Sequence, residues 1–121
     1  MKQSIQTSQA PAAIGPYSQA IKTNGFLFIS GQLPIDPVTN TFSGDDAATQ
    51  TRQSLKNIRS ILKQAGLEMD AIVKTTVYLS DMGDFVEMNS VYAEFFSGEF
   101  PARVAIEVSA LPKNARVEID A

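Results

Sequence analysis

The segments of this chain most disposed to form β-strands are apolar on both faces, while the chain supplies only two helices. In Phe26-Leu27-Phe28-Ile29, the phenylalanines point opposite to Leu27 and Ile29; between Arg103 and Val108, Val104 and Ile106 alternate with Ala105. Successive residues of a strand project from opposite faces, so each segment carries apolar side chains on both. Two helices can cover one face of a sheet, and the partly apolar second face needs another partner. The pattern predicts an α+β fold, a mixed β-sheet with two α-helices on one face, whose other face meets further copies in a homo-oligomer.

Local signals place the elements. A short strand is expected around Ile5, followed by Ala10-Pro11-Ala12-Ala13-Ile14-Gly15-Pro16, where two prolines exclude regular structure and leave an ordered loop that delivers Tyr17 to a strand. Tyr17 to Lys22 and Phe26 to Ile29 are β-prone and separated by Thr23-Asn24-Gly25, a tight hairpin turn. From Ser30 the chain reads Ser-Gly-Gln-Leu-Pro-Ile-Asp-Pro, followed by a loop to Asp46 rich in Thr, Asn, Ser, Gly and Asp. Within residues 47–65, Leu55, Ile58, Leu62 and Ala65 recur at helical spacing, with Asp45 or Asp46 as cap and Gly66 as stop. Ala71 to Leu79 is a β-branched strand. A second helix carries Phe85, Met88, Tyr92 and Phe95, Pro101 breaks it, and strands follow at Arg103 to Val108 and Arg116 to Ile119. The order is β-β-β-α-β-α-β-β, without repeats or linkers, and 121 residues suffice for one core, so residues 1–121 are expected to form a single domain.

Composition then removes whole classes of chemistry. The chain has no cysteine and no histidine, hence no disulfide framework, thiolate nucleophile, histidine-containing triad or Cys/His metal site. No metal and no cofactor are expected. Ten basic against thirteen acidic residues leave a net charge of −3, so no overall field draws the chain to nucleic acid or an anionic membrane. The N-terminal residues lack the apolar core of a signal peptide and no stretch is long enough to span a bilayer, which makes the cytoplasm the expected location.

Four positions could carry chemistry, and each has a plainer reading. Asn89 falls on the apolar stripe of the second helix, where a buried amide needs partners; a structural hydrogen bond to a nearby loop would suffice. Gly31 ends an apolar strand and admits close approach to the backbone, or is an ordinary turn glycine. Arg103 opens a strand of Val104, Ala105 and Ile106; guanidinium suits a semi-buried carboxylate, and a salt bridge within the chain is the plain alternative. Glu118 lies between Val117 and Ile119 and shares a face with Arg116 and Asp120, which is what a solvated strand face would show. An arginine for a carboxylate, a backbone donor and a carboxylate base are together sufficient to add water to a small anionic electrophile, provided that electrophile is intrinsically reactive.

Read in order, the residues resemble the RidA/YjgF family of reactive-intermediate deaminases. The matching stretches are Ala10 through Ala20, Ser30-Gly31-Gln32-Leu33-Pro34-Ile35-Asp36, Val73 through Val77, Asn89 through Tyr92 to Phe95-Phe96, Phe100-Pro101-Ala102-Arg103 with Glu107-Val108, and Leu111-Pro112-Lys113 to Val117-Glu118-Ile119. The resemblance implies a chorismate-mutase-like α+β protomer, a homotrimer with sites in the clefts between subunits, and hydrolysis of 2-imino acids or their enamine tautomers (2-iminobutanoate, 2-iminopropanoate) to 2-oxo acids and ammonia. It also implies that Arg103 holds the substrate carboxylate, that Glu118 positions or activates water, and that Tyr17, Gly31 and Asn89 line the pocket, Gly31 through its N–H. Many relatives have a cysteine where this chain has Ala105; if that substrate-binding position works through its backbone, alanine preserves the function.

Two readings from other classes compete. Relatives have been described as ribonucleases and translation inhibitors, for which this acidic chain without histidine offers little support. A non-catalytic trimer that binds small carboxylates would reuse the same clefts, and Ala105 is the feature that favours it.

Overall fold

The computed structural model describes residues 1–121. Eight strands and two helices follow one another as β1 (Gln3–Ile5), β2 (Ala20–Thr23), β3 (Phe26–Ile29), β4 (Ile35–Asp36), β5 (Thr41–Phe42), α1 (Ala47–Gln64), β6 (Lys74–Leu79), α2 (Phe85–Ala93), β7 (Ala102–Glu107) and β8 (Val117–Asp120). The β2–β3 hairpin turns on Asn24 and Gly25, at φ 49° and 80°, as the Asn-Gly pair predicts. Strands β1 to β3 form an antiparallel meander, and β6 pairs antiparallel with β8 and parallel with β7.

Four backbone hydrogen bonds join these two groups. Ile29 N–H donates to Ala121 O (2.8 Å) and Ala121 N–H to Ile29 O (3.4 Å), while Gln32 N–H donates to Ile119 O (2.7 Å) and Ile119 N–H to Gln32 O (3.2 Å). The strands therefore lie in the order β1-β2-β3-β8-β6-β7, one mixed sheet. Between the two paired positions, Ser30 and Gly31 stand opposite Asp120 alone, which is a β-bulge.

Both helices pack on one face. Leu55, Ile58, Ile61 and Leu62 of α1 and Met88 and Tyr92 of α2 close over Val77, Leu79, Val117 and Ile119. Helix α1 begins where the Asp46 carboxylate accepts from Thr49 N–H (2.9 Å), and the chain leaves it through Gly66 at φ 78°. Its buried arc is wider than the apolar stripe. Asn57 Nδ2 donates to Leu33 O (3.2 Å) and Ile35 O (2.9 Å), and Gln50 takes Arg116 N–H on Oε1 (2.8 Å) while donating to Gly44 O (3.0 Å). Buried amides thus tie the 31–45 segment and the start of β8 to α1.

Several boundaries differ from the sequence reading. Tyr17 lies outside β2, because the buried Gln19 side chain is engaged by Thr7 N–H and donates to Pro11 O, holding this stretch against the N-terminal loop. The polar segment before α1 contains the β4–β5 hairpin. Met69–Ala71 form a 3-10 turn, so β6 starts at Lys74, and α2 stops at Ala93, leaving Phe95 and Phe96 in the turn that follows.

The second face is open. Phe26, Phe28, Val104 and Ile106 project from it, 60%, 59%, 40% and 42% exposed, which bears out the two-faced patterning. No helix is long and apolar enough to cross a membrane.

Candidate active site

Arg103 lies on β7 opposite Thr75 of β6, on the helix-covered side of the sheet and at its edge. Its Nη1 donates to Asn89 Oδ1 (2.8 Å), and its guanidinium stands over the rings of Tyr92 (4.8 Å to the centroid) and Phe85 (5.5 Å). Phe85, Asn89 and Tyr92 are spaced by four and three residues along α2 and so form one stripe. No carboxylate of the chain pairs with this half-buried arginine; the two ion pairs are Arg52–Glu94 and Arg116–Asp84. The internal salt bridge considered for Arg103 is thus not formed. Asn89, Tyr92, Ala93, Phe100, Pro101 and Arg103 line a cleft of about 430 Å³.

Ala105 is two residues along the same face of β7. Ala102 N–H donates to Val73 O (3.0 Å) and Val108 N–H to Leu79 O (2.8 Å), so the even-numbered residues of this strand bond to β6. By alternation, the N–H and C=O of Arg103 and Ala105 point off the open edge of the sheet. The backbone of Ala105 is presented there whatever its side chain.

Glu118 is built differently. It pairs with Tyr78 across β6, on the face opposite the helices, and rests against the β-bulge. A Cβ at Gly31 would overlap Glu118 Oε2 and lie 2.9 Å from Cδ, so the carboxylate occupies the space that the missing side chain leaves. Burial pushes the Glu118 carboxyl above the usual glutamate range, and the charge of Asp120 adds to the rise. Asp120 is itself anchored, accepting from Thr76 N–H (3.2 Å) and Tyr78 OH (3.0 Å). The solvated-face reading of Glu118 fails, since both carboxylates are half-buried. Tyr17, exposed, lines a separate cleft with Gly31, Gln32 and Lys113.

The structure therefore brings the sequence-derived residues together in two groups. Arg103, Asn89 and Ala105 stand on the helix side at the β7 edge; Glu118 and Gly31 meet on the open side. Within one protomer, Arg103 and Glu118 are on opposite faces of the sheet. One expectation is corrected: Asn89 is exposed, because the buried side of α2 is set by Met88, Val91 and Tyr92, and its amide oxygen is satisfied by Arg103 and not by a loop. Three contributors are not among the residues that the sequence singles out for chemistry. Phe85 and Tyr92 read as core, although their spacing around Asn89 marks them as its neighbours; Thr75, whose hydroxyl contacts Tyr92 OH at 2.7 Å, carries no sequence signal.

This geometry defines a class: an α+β domain of chorismate-mutase-like type, offering an unpaired arginine at one sheet edge and a half-buried glutamate on the uncovered face. The chain belongs to the RidA/YjgF, or Rid, family, whose model, described as Endoribonuclease L-PSP, matches residues 7–121. It is 56% identical over 121 residues to a RutC family protein of Pyrococcus horikoshii, covering 100% of this chain and 96% of that one. It is 47% identical over 117 residues to the 2-iminobutanoate/2-iminopropanoate deaminase of Mus musculus, covering 97% and 87%. The Rid protein YyfA of Yersinia pestis superposes with a TM-score of 0.97 at 52% identity, covering 99% and 96% of the two chains. TdcF of E. coli with bound serine superposes at 0.94 with 39% identity, covering 98% and 95%.

Proposed function

We propose that this chain hydrolyses reactive 2-imino acids and their enamine tautomers, such as 2-iminobutanoate and 2-iminopropanoate, to 2-oxo acids and ammonia, in clefts between the copies of a homotrimer. The observation that carries the reading is the unpaired guanidinium of Arg103. Half-buried, without a carboxylate of its own and facing a cleft, it supplies the counter-charge that a small 2-imino acid requires.

Arg103 binds the substrate carboxylate through the donors that Asn89 leaves free, and the outward N–H of Ala105 provides a further donor. The protonated imine is already electrophilic at C2. Glu118 takes a proton from water as the water oxygen bonds to C2, forming a carbinolamine, and passes that proton to the nitrogen; the C–N bond then breaks as Glu118 accepts the hydroxyl proton, releasing ammonia and the 2-oxo acid. A raised pKa suits a group that must both accept and return a proton near neutrality. Tyr17 and the Gly31 N–H complete the wall on the Glu118 side.

The opposed placement of Arg103 and Glu118 supports assembly between subunits, because one substrate can meet both only if the β7 edge of one copy docks on the open face of the next. The exposed Phe26, Phe28, Val104 and Ile106 give that docking an apolar basis. The surface of the isolated chain, 7028 Å², exceeds the roughly 6,400 Å² expected for a monomer of its mass, in keeping with a protomer. The mouse relative carries the deaminase name and the E. coli structure holds serine, itself a small carboxylate. Some relatives are instead named endoribonuclease or translation initiation inhibitor, but the cleft here is lined by a single cation, Arg103.

A coupled assay tests the reading. Threonine dehydratase and threonine generate 2-iminobutanoate, and semicarbazide traps what escapes hydrolysis. The wild-type chain is expected to accelerate 2-oxobutanoate formation and suppress the trapped imine. No acceleration refutes imine hydrolysis, and 2-oxobutanoate binding without turnover would establish the carboxylate-binding trimer instead.

A further inference from the structure

Arg103 owes its position to an aromatic ring as well as to Asn89, and the ring is fixed from behind. Tyr92 is 3% exposed, and its hydroxyl meets Thr75 Oγ1 at 2.7 Å beneath the sheet, where Thr75 is fully buried. On its flank, Phe96 packs at 4.9 Å between ring centroids and is itself backed by Phe100 at 6.0 Å. The guanidinium lies 4.8 Å above this braced ring while Nη1 is held by Asn89. A ring clamped at its hydroxyl and its flank cannot tilt freely, so it sets the plane of whatever stacks on it.

We propose that Tyr92, locked by Thr75, is a positioning residue that fixes the plane in which Arg103 is offered to a carboxylate. The inference rests on the reading of Arg103 as the carboxylate site. A carboxylate counter-ion would align the arginine equally well, but it would occupy the donors and cancel the charge that the ligand needs. The face of an aromatic ring attracts the cation through its quadrupole and leaves the N–H edge unspent. Asn89 contributes a neutral acceptor at one nitrogen only. Alignment without neutralisation explains why a half-buried arginine is found here among Phe85, Asn89 and Tyr92 rather than beside an acid.

The test is calorimetric titration of the assembled protein with 2-oxobutanoate, a probe that needs no turnover. Tyr92→Leu, which removes the ring, is expected to raise Kd about 30-fold, the size of a desolvated cation–π contact. Tyr92→Phe, which keeps the ring and loses only the hydroxyl lock, is expected to raise it about threefold, so that phenylalanine rescues most of the loss. Both effects should vanish in an Arg103→Ala background, where there is no guanidinium left to align. If Tyr92→Leu does not fold, the Tyr92→Phe effect and its disappearance with Arg103→Ala decide the matter. Wild-type affinity in the Tyr92 variants, or a loss that persists undiminished with Arg103→Ala, overturns the positioning role while leaving Arg103 in place. Unchanged affinity in Arg103→Ala alone overturns the carboxylate site itself.

Discussion

Replacing Gly31 by alanine should separate activity from stability, and the contact geometry says by how much. The new Cβ would overlap Glu118 Oε2 and sit 2.9 Å from Cδ and 3.3 Å from Cγ. Ordinary carbon contacts begin near 3.5 Å, so the carboxylate has to retreat by more than about 1 Å. The obstructed atoms are the far end of a side chain with rotatable torsions, and Gly31 is not among the glycines at positive φ, so its backbone accepts alanine. Relief by rotating Glu118 off its preferred rotamer costs about 0.5–1.5 kcal/mol, too little to unfold the domain. A displacement of that size at a catalytic group costs about 100-fold in rate. Gly31→Ala is therefore expected to lower kcat in the dehydratase-coupled assay about 100-fold, with urea unfolding shifted by no more than about 1.5 kcal/mol. Full kcat in Gly31→Ala would refute the placement of Glu118 at the reacting atoms; a collapse of stability alongside kcat would refute the argument that the side chain, not the backbone, gives way.

Arg103→Ala should lose on the order of 10²–10⁴ in kcat/KM, since two charge-assisted bonds each contribute roughly 1.5–3 kcal/mol; steady-state kinetics in the same assay measures it. The rate should also fall with acid earlier than an ordinary glutamate of pKa 4.5 would dictate, because the base role proposed for Glu118 requires the ionised carboxylate, and Glu118 holds its proton to higher pH. The stability effect has the opposite sense to that of a salt-bridged acid. Between pH 4.5 and the raised folded value the native state holds the extra proton, so stability declines as pH rises through that window; Glu118→Gln, which cannot ionise, should unfold at higher urea than the wild type at pH 7. Finally, Phe28→Glu places a charge on the open sheet face, where Phe28 is 59% exposed, and should shift the proposed trimer to monomer in sedimentation with its far-UV spectrum unchanged.

Much of this protein was determined by the sequence alone, and the reason is locality. Helical spacing from Leu55 to Leu62, the Asn24-Gly25 turn and the β-branched run into Leu79 are signals written within a few residues of the structure they specify. The apolar character of both strand faces likewise follows from alternation, and the open face with Phe26 and Phe28 is its result. The candidate site residues were recognisable as types in a pattern. Their arrangement was decided only in three dimensions. Whether Arg103 and Glu118 share a face depends on how β7 and β8 register against β6, and those strands are separated from it by tens of residues; a slip of one position would move either side chain to the other side of the sheet. The bulge at Ser30 and Gly31 exists only because β3 meets β8 across the length of the chain, and the cradle of Arg103 needs Thr75 from one strand beneath Tyr92 from a helix. Sequence determines which groups are available; non-local pairing decides which face they occupy, and here it sets the arginine and the glutamate on opposite sides of one sheet.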